Sequence, residues 1–179
     1  MAPKVIALGV TGGIAAYKAA DLCGKLAKKY DVRVLMTENA TRFVAPLTFR
    51  PLSRHEVVTS LWEEPEWRPG HVALADEAEF FAVVPATANF IAKYAHGIAD
   101  DALTTFAATF AGSVLLAPAM NPKMWAHAAC ADNVAVLKRR GVRFCGPVAG
   151  HVACGADGVG RMSEPAEILA AIEAALIEI

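Results

Sequence analysis

No Cys-x-x-Cys pair occurs in this sequence, and its four cysteines, Cys23, Cys130, Cys145 and Cys154, stand far apart. Such spacing supports neither a zinc site nor a disulfide framework, and no metal is expected. Charge of one sign is also absent. The 17 basic and 18 acidic residues leave a net charge of -1, so there is no electrostatic footprint for nucleic acid or an anionic membrane. No arginine-rich or long apolar targeting segment follows Met1-Ala2-Pro3-Lys4, which predicts a reducing, cytoplasmic location. Ala102 to Pro122 is 21 residues without a charge, the length of a membrane span. Gly112 and Pro118 interrupt it, however, and a buried helix followed by a buried strand fits better. Small molecules and proteins remain as partners.

What is present is a regular alternation. The 179 residues suit one domain, 1–179, that buries about two-thirds of its unfolded surface. Val5–Val10 is a short apolar run. Gly12-Gly13 then opens a helical stretch ending near Lys28-Lys29, whose cations complement the helix dipole. Asp31–Met36, Phe80–Val84, Ser113–Ala117 and Val142–Phe144 read as further strands separated by helix-length segments. The pattern predicts an α/β fold: a doubly wound, mostly parallel sheet with helices on both faces. A last helix is expected near Pro165, capped by Ser163 or Glu164, with Ile168, Leu169 and Ile172 inward. Leu61 to Gly70 looks like an excursion, and Cys145 to Met162, with five glycines, resists regular assignment.

Ligands of a parallel sheet bind beyond the carboxyl ends of its strands. Gly12-Gly13, Thr37 to Asn39, Pro85 to Asn89 and Pro118 to Trp125 each follow a predicted strand, so the topology gathers them at one edge. The two glycines allow close backbone approach, and the following helix offers N–H groups to an anion. A tight strand-to-helix turn explains them equally well. Thr37, Thr87 and Asn89 supply hydroxyl and amide groups, or simply cap helices. His71 is a candidate proton carrier because imidazole titrates near neutral pH. Cys154, set among glycines, is a candidate proton donor or nucleophile. Asn121 can bind a carboxylate without adding charge, or cap a helix that starts at Pro122. From residues alone the expectation is an anion-binding pocket containing His, Asn and Cys.

Three segments carry a resemblance that spans essentially the whole chain. Pro85-Ala86-Thr87-Ala88-Asn89 is similar to a Pro-Ala-Ser-Ala-Asn-Thr motif, and Pro118 to Trp125 matches Pro-x-Met-Asn-x-x-Met-Trp. Ala153 to Met162 resembles a substrate-recognition clamp. In this order the motifs are those of the homo-oligomeric flavin-containing cysteine decarboxylases, and within them of the branch acting on 4'-phosphopantothenoylcysteine in coenzyme A biosynthesis. The resemblance implies a Rossmann-like flavoprotein in which Gly12, Gly13, Ile14, Thr37, Asn39, Thr87, Ala88, Asn89 and Ala119 bind FMN. Phe90 stands where the motif has Thr, which removes a hydroxyl near the cofactor. Phe49 is implied to pack on a flavin ring across a subunit interface, with core packing as the competing role.

The resemblance further implies that FMN oxidises the thiol-bearing carbon, so that a thioaldehyde accepts the electrons released with carbon dioxide. The enethiol is then reduced to 4'-phosphopantetheine. Asn121 would hold the substrate carboxylate, with Met120, Ala153 and Gly155 as further substrate contacts. His71 would serve acid/base and orienting roles in the oxidative half, and Cys154 would supply the final proton. Homotrimers or homododecamers are implied. A phosphopantothenoylcysteine synthetase activity is expected on another polypeptide. A peptidyl-cysteine decarboxylase or a non-catalytic flavin-binding regulatory subunit are the alternatives. Cys154 disfavours the first, and the complete catalytic set the second.

Overall fold

The computed structural model describes residues 2–62 and 70–178. Most of the expected excursion at 61–70 lies outside the described residues. Five strands, β1 (Val5–Val10), β2 (Asp31–Met36), β3 (Phe80–Ala86), β4 (Ser113–Pro118) and β5 (Arg143–Phe144), form one sheet. Its order is β2-β1-β3-β4-β5, and every pairing is parallel. Helix α1 (Ala16–Leu26) follows β1, while α2 (Glu38–Thr41) and α3 (Pro46–Ser53) follow β2. Helix α4 (Gly70–Glu77) precedes β3, and α5 (Ala88–His96) and α6 (Ala102–Thr109) lead from β3 to β4. Helices α7 (Pro122–Trp125) and α8 (Ala128–Arg139) connect β4 to β5. An antiparallel hairpin, β6 (Val148–His151) and β7 (Asp157–Arg161), and the final helix α9 (Pro165–Ile177) complete the described chain.

Alternate residues of each strand point to opposite faces, and here both faces are covered. Ile6, Leu8 and Val10 of β1 pack with Leu22 and Leu26 of α1 and with Ile168 and Ile172 of α9. Ala7 faces the other way, into a cluster with Phe81, Val83, Ile91, Phe106 and Leu137. Burial on both sides is why the strands read as continuous apolar runs rather than alternating ones. All seven residues of β3 are buried. The uncharged stretch at 102–122 divides into α6 and β4. Among the described residues no helix is long and apolar enough to cross a membrane.

Helix α9 starts at Pro165 with Glu164 as its N-cap residue, as the sequence predicts. The last strand of the sheet is shorter than expected, Arg143–Phe144 rather than from Val142. The segment with no regular assignment contains the β6–β7 hairpin. Its glycines and mostly exposed side chains carry no apolar alternation, so local pattern could not announce it. The direction of sheet growth reverses between β1 and β3. Loops leaving neighbouring strands at such a switch point part from each other and leave a crevice at the carboxyl edge.

Candidate active site

A cavity of about 800 Å³ opens at that edge. Its floor comes from the loops after four strands: Thr11 to Gly13 after β1, Thr37 to Asn39 after β2, Thr87 to Phe90 after β3, and Ala119 to Asn121 after β4. Thr11, which the sequence expectation passed over, joins two of them. Its buried Oγ1 donates to Pro85 O at 2.6 Å and accepts from the Thr87 N–H at 3.1 Å. The sequence signal for it is slight: it is the first polar side chain after the apolar run of β1.

Gly12 lets the first two loops meet. A Cβ at Gly12 would lie 2.5 Å from Asn39 Cβ and 2.8 Å from Asn39 C, whereas one at Gly13 would meet only Thr87 Cγ2, at 3.6 Å. Thr37 and Thr87 act as N-caps, accepting from Ala40 N–H at 3.2 Å and Phe90 N–H at 3.3 Å. Capping and cavity lining are therefore combined in the same hydroxyls. Helix α1 begins behind Ala15 with no side-chain cap, an N-terminus of the kind that receives an anion.

Asn121 likewise has two functions. Its Oδ1 accepts from Lys123 N–H at 2.8 Å, capping α7, and this turns the amide so that Nδ2 donates to Cys154 Sγ at 3.0 Å. Burial pushes the Cys23 thiol up to about 11 and also raises those of Cys130 and Cys145. Cys154 is the exposed cysteine. The hairpin that carries it is docked on the Asn121 loop through glycines. Met120 N–H donates to Gly160 O at 3.0 Å, and a Cβ on Gly160 would come within 2.3 Å of Met120 O.

Of the expected site residues, Ile14, Ala88, Asn89, Phe90, Ala119, Met120 and Ala153 also line the cavity. Phe90 is almost wholly buried, stacked on Tyr94 with centroids 5.8 Å apart. Gly155 is instead a turn residue beside Cys154, with φ +81° and its N–H donating to Val152 O. Phe49 is wholly buried in the cluster on the α1 face. His71 also stands apart from Asn121 and Cys154. It lies in the first turn of α4 rather than in the cavity lining, and its buried Nδ1 has no hydrogen-bond partner among the described residues.

Residues 1–177 match the family model described as Flavoprotein. The chain belongs to the flavoprotein family. This flavoprotein is 48% identical over 166 residues to the coenzyme A biosynthesis bifunctional protein CoaBC of Bacillus subtilis (strain 168), over 92% of this chain and 41% of that protein. It is 44% identical over 167 residues to CoaBC of Mycobacterium tuberculosis (strain CDC 1551 / Oshkosh), over 93% of this chain and 40% of that protein. The chain thus spans less than half the length of these curated relatives. A solved PPC decarboxylase, a cysteine-to-serine mutant complexed with pantothenoylaminoethenethiol, superposes with a TM-score of 0.86 at 25% identity, covering 96% of this flavoprotein and 97% of that chain. The FMN-dependent cysteine decarboxylase SpaF superposes with a TM-score of 0.84 at 30% identity, covering 98% and 96% of the two chains.

Proposed function

We propose that this flavoprotein decarboxylates 4'-phosphopantothenoylcysteine to 4'-phosphopantetheine with FMN as cofactor, residues 1–179 acting as one domain. The observation that carries this reading is the contact between Asn121 Nδ2 and Cys154 Sγ, 3.0 Å apart at the cavity wall. In this reading Asn121 is a neutral carboxylate binder and Cys154 the thiol proton donor beside it. The CoaBC proteins and the PPC decarboxylase to which the chain is similar point the same way. A peptidyl-cysteine decarboxylase that stops at the enethiol has no use for that thiol.

The residues present fit FMN. The cavity volume exceeds that of one small cofactor, Gly12 lets two backbone loops close on a ligand, and the uncapped start of α1 suits its phosphate. Gly12, Gly13, Ile14, Thr37, Asn39, Thr87, Ala88, Asn89, Phe90 and Ala119 would hold it. Bound FMN supplies the reversible two-electron oxidation of the substrate. Asn121 holds the substrate carboxylate by its amide N–H, with Met120 and Ala153 alongside. Cys154 delivers the final proton to the substrate carbon.

His71 serves the oxidative half from a neighbouring copy in a homotrimer or a dodecamer built from trimers. Its absence from its own chain's cavity lining and its unpartnered Nδ1 among the described residues support this placement. His71→Asn is expected to keep its flavin yet release carbon dioxide at least 100-fold more slowly, the usual scale of a lost acid/base group. Near-normal turnover would remove His71 from the mechanism. Cytoplasmic location accords with the free cysteines.

Mass spectrometry after incubating the flavin-loaded protein with 4'-phosphopantothenoylcysteine tests the whole reading. Saturated 4'-phosphopantetheine is expected. Unchanged substrate would overturn it.

A further inference from the structure

The charged residues of the cavity form two groups of opposite balance. Lys93 Nζ lies 2.7 Å from Asp100 and 3.9 Å from Asp101, so one cation faces two carboxylates. In the other group the ratio is inverted. Lys18 Nζ lies 2.9 Å from both oxygens of Glu164, and Arg161 Nη2 donates to Oε1 of the same carboxylate. Lys18 and Arg161 line the cavity, and the side chain of Lys18 is only 16% exposed. The remaining lining charges do not alter this balance: Glu38 pairs with Arg42, and His151 with Asp157.

We propose that Lys18 and Arg161 form the site for the phosphomonoester of the substrate, and so select phosphorylated over unphosphorylated cysteine derivatives. This rests on the decarboxylase reading above. Two cations sharing one carboxylate keep a net positive charge and spare N–H donors, the combination that phosphate oxygens require. Glu164 also holds both cations in place. It belongs to the cap of α9, where its own N–H donates to Glu167 Oε2 at 2.8 Å.

Arg161 lies on the hairpin that also carries Cys154, and the Gly160 carbonyl before it accepts from Met120 N–H at 3.0 Å, so the two cations border the same cavity as Asn121 and Cys154. The pantothenoyl arm, with about eleven bonds between the cysteine Cα and phosphorus, reaches at most about 13 Å, so both ends of the substrate can be held in that one cavity.

Steady-state kinetics of Lys18→Gln and Arg161→Gln with 4'-phosphopantothenoylcysteine and with pantothenoylcysteine test the site. KM for the phosphorylated substrate is expected to rise on the order of 10- to 100-fold in each variant. KM for the unphosphorylated one, kcat and bound flavin should stay within about twofold, and Lys18→Arg should recover most of the loss. Equal KM increases for both substrates would overturn the proposal. Loss of flavin in either variant would do the same, because those cations would then belong to the cofactor phosphate. Calorimetry of 4'-phosphopantetheine and pantetheine binding to the flavin-loaded protein reads the site without turnover. A wild-type preference for the phosphorylated ligand, lost in Lys18→Gln, supports the site even if the decarboxylation assay fails. The absence of a wild-type preference overturns it even if decarboxylation proceeds.

Discussion

Cys154→Ser is expected to release carbon dioxide at close to the normal rate and to accumulate the enethiol in place of saturated 4'-phosphopantetheine. A thiol is a far stronger acid than an alcohol, and loss of a positioned general acid slows proton transfer by about 100- to 10,000-fold. The substitution is nearly isosteric and lies on an exposed residue. The Asn121 amide stays capped on Lys123 N–H, so the carboxylate binding proposed for it and the oxidative half are expected to be spared. Mass spectrometry of the product, with carbon dioxide measured in parallel, separates the two half-reactions. Full conversion to saturated product would show that another group supplies the proton. Equal loss of both halves would show that Cys154 orders the loop rather than completing the chemistry.

Gly12→Ala is expected to yield protein with little or no flavin, whereas Gly13→Ala keeps it. The neighbouring glycines differ because the missing Cβ would face different atoms. At Gly12 it would stand 2.5 Å from Asn39 Cβ and 2.8 Å from the backbone carbon of Asn39. Carbon atoms prefer a separation of about 3.5–4.0 Å. Either β1 or the loop after β2 must move by about 1 Å, and the overpacking costs about 1–3 kcal/mol. That movement opens the cavity edge lined by Thr37, Asn39 and Thr87. At Gly13 the nearest atom is a side-chain methyl at 3.6 Å, an ordinary contact. Flavin absorbance per protein after purification reads both variants. A yellow Gly12→Ala protein with one flavin per chain would remove Gly12 from the cofactor site.

The cavity edge itself was largely legible in the sequence. Val5–Val10 and Phe80–Val84 are too continuously apolar for half-exposed strands, and such runs belong to parallel sheets covered on both faces. Once the strands run parallel, the segments after them must share an edge, so Gly12, Thr37, Thr87 and Asn121 were predicted neighbours without any contact being known. Asn121 was legible in either role because capping α7 and facing Cys154 use opposite ends of one amide. Hairpin β6–β7 was not legible. Its glycine-rich strands gain their place from Met120 and Pro122, which meet Gly160 and Gly158.

The sequence by itself determined the parallel α/β architecture, the carboxyl edge as the place of the site and the residue types gathered there. Each follows from local periodicity and from the direction that a parallel sheet imposes on its loops. Only the tertiary structure decided that Phe49 is wholly buried, that His71 lies outside its own chain's cavity lining, and that Lys18 and Arg161 converge on Glu164 from α1 and β7. Lys18 and Glu164 are separated by 146 positions, and no local pattern encodes a contact across that distance. The packing of α1 and α9 on one face of the sheet brings them together.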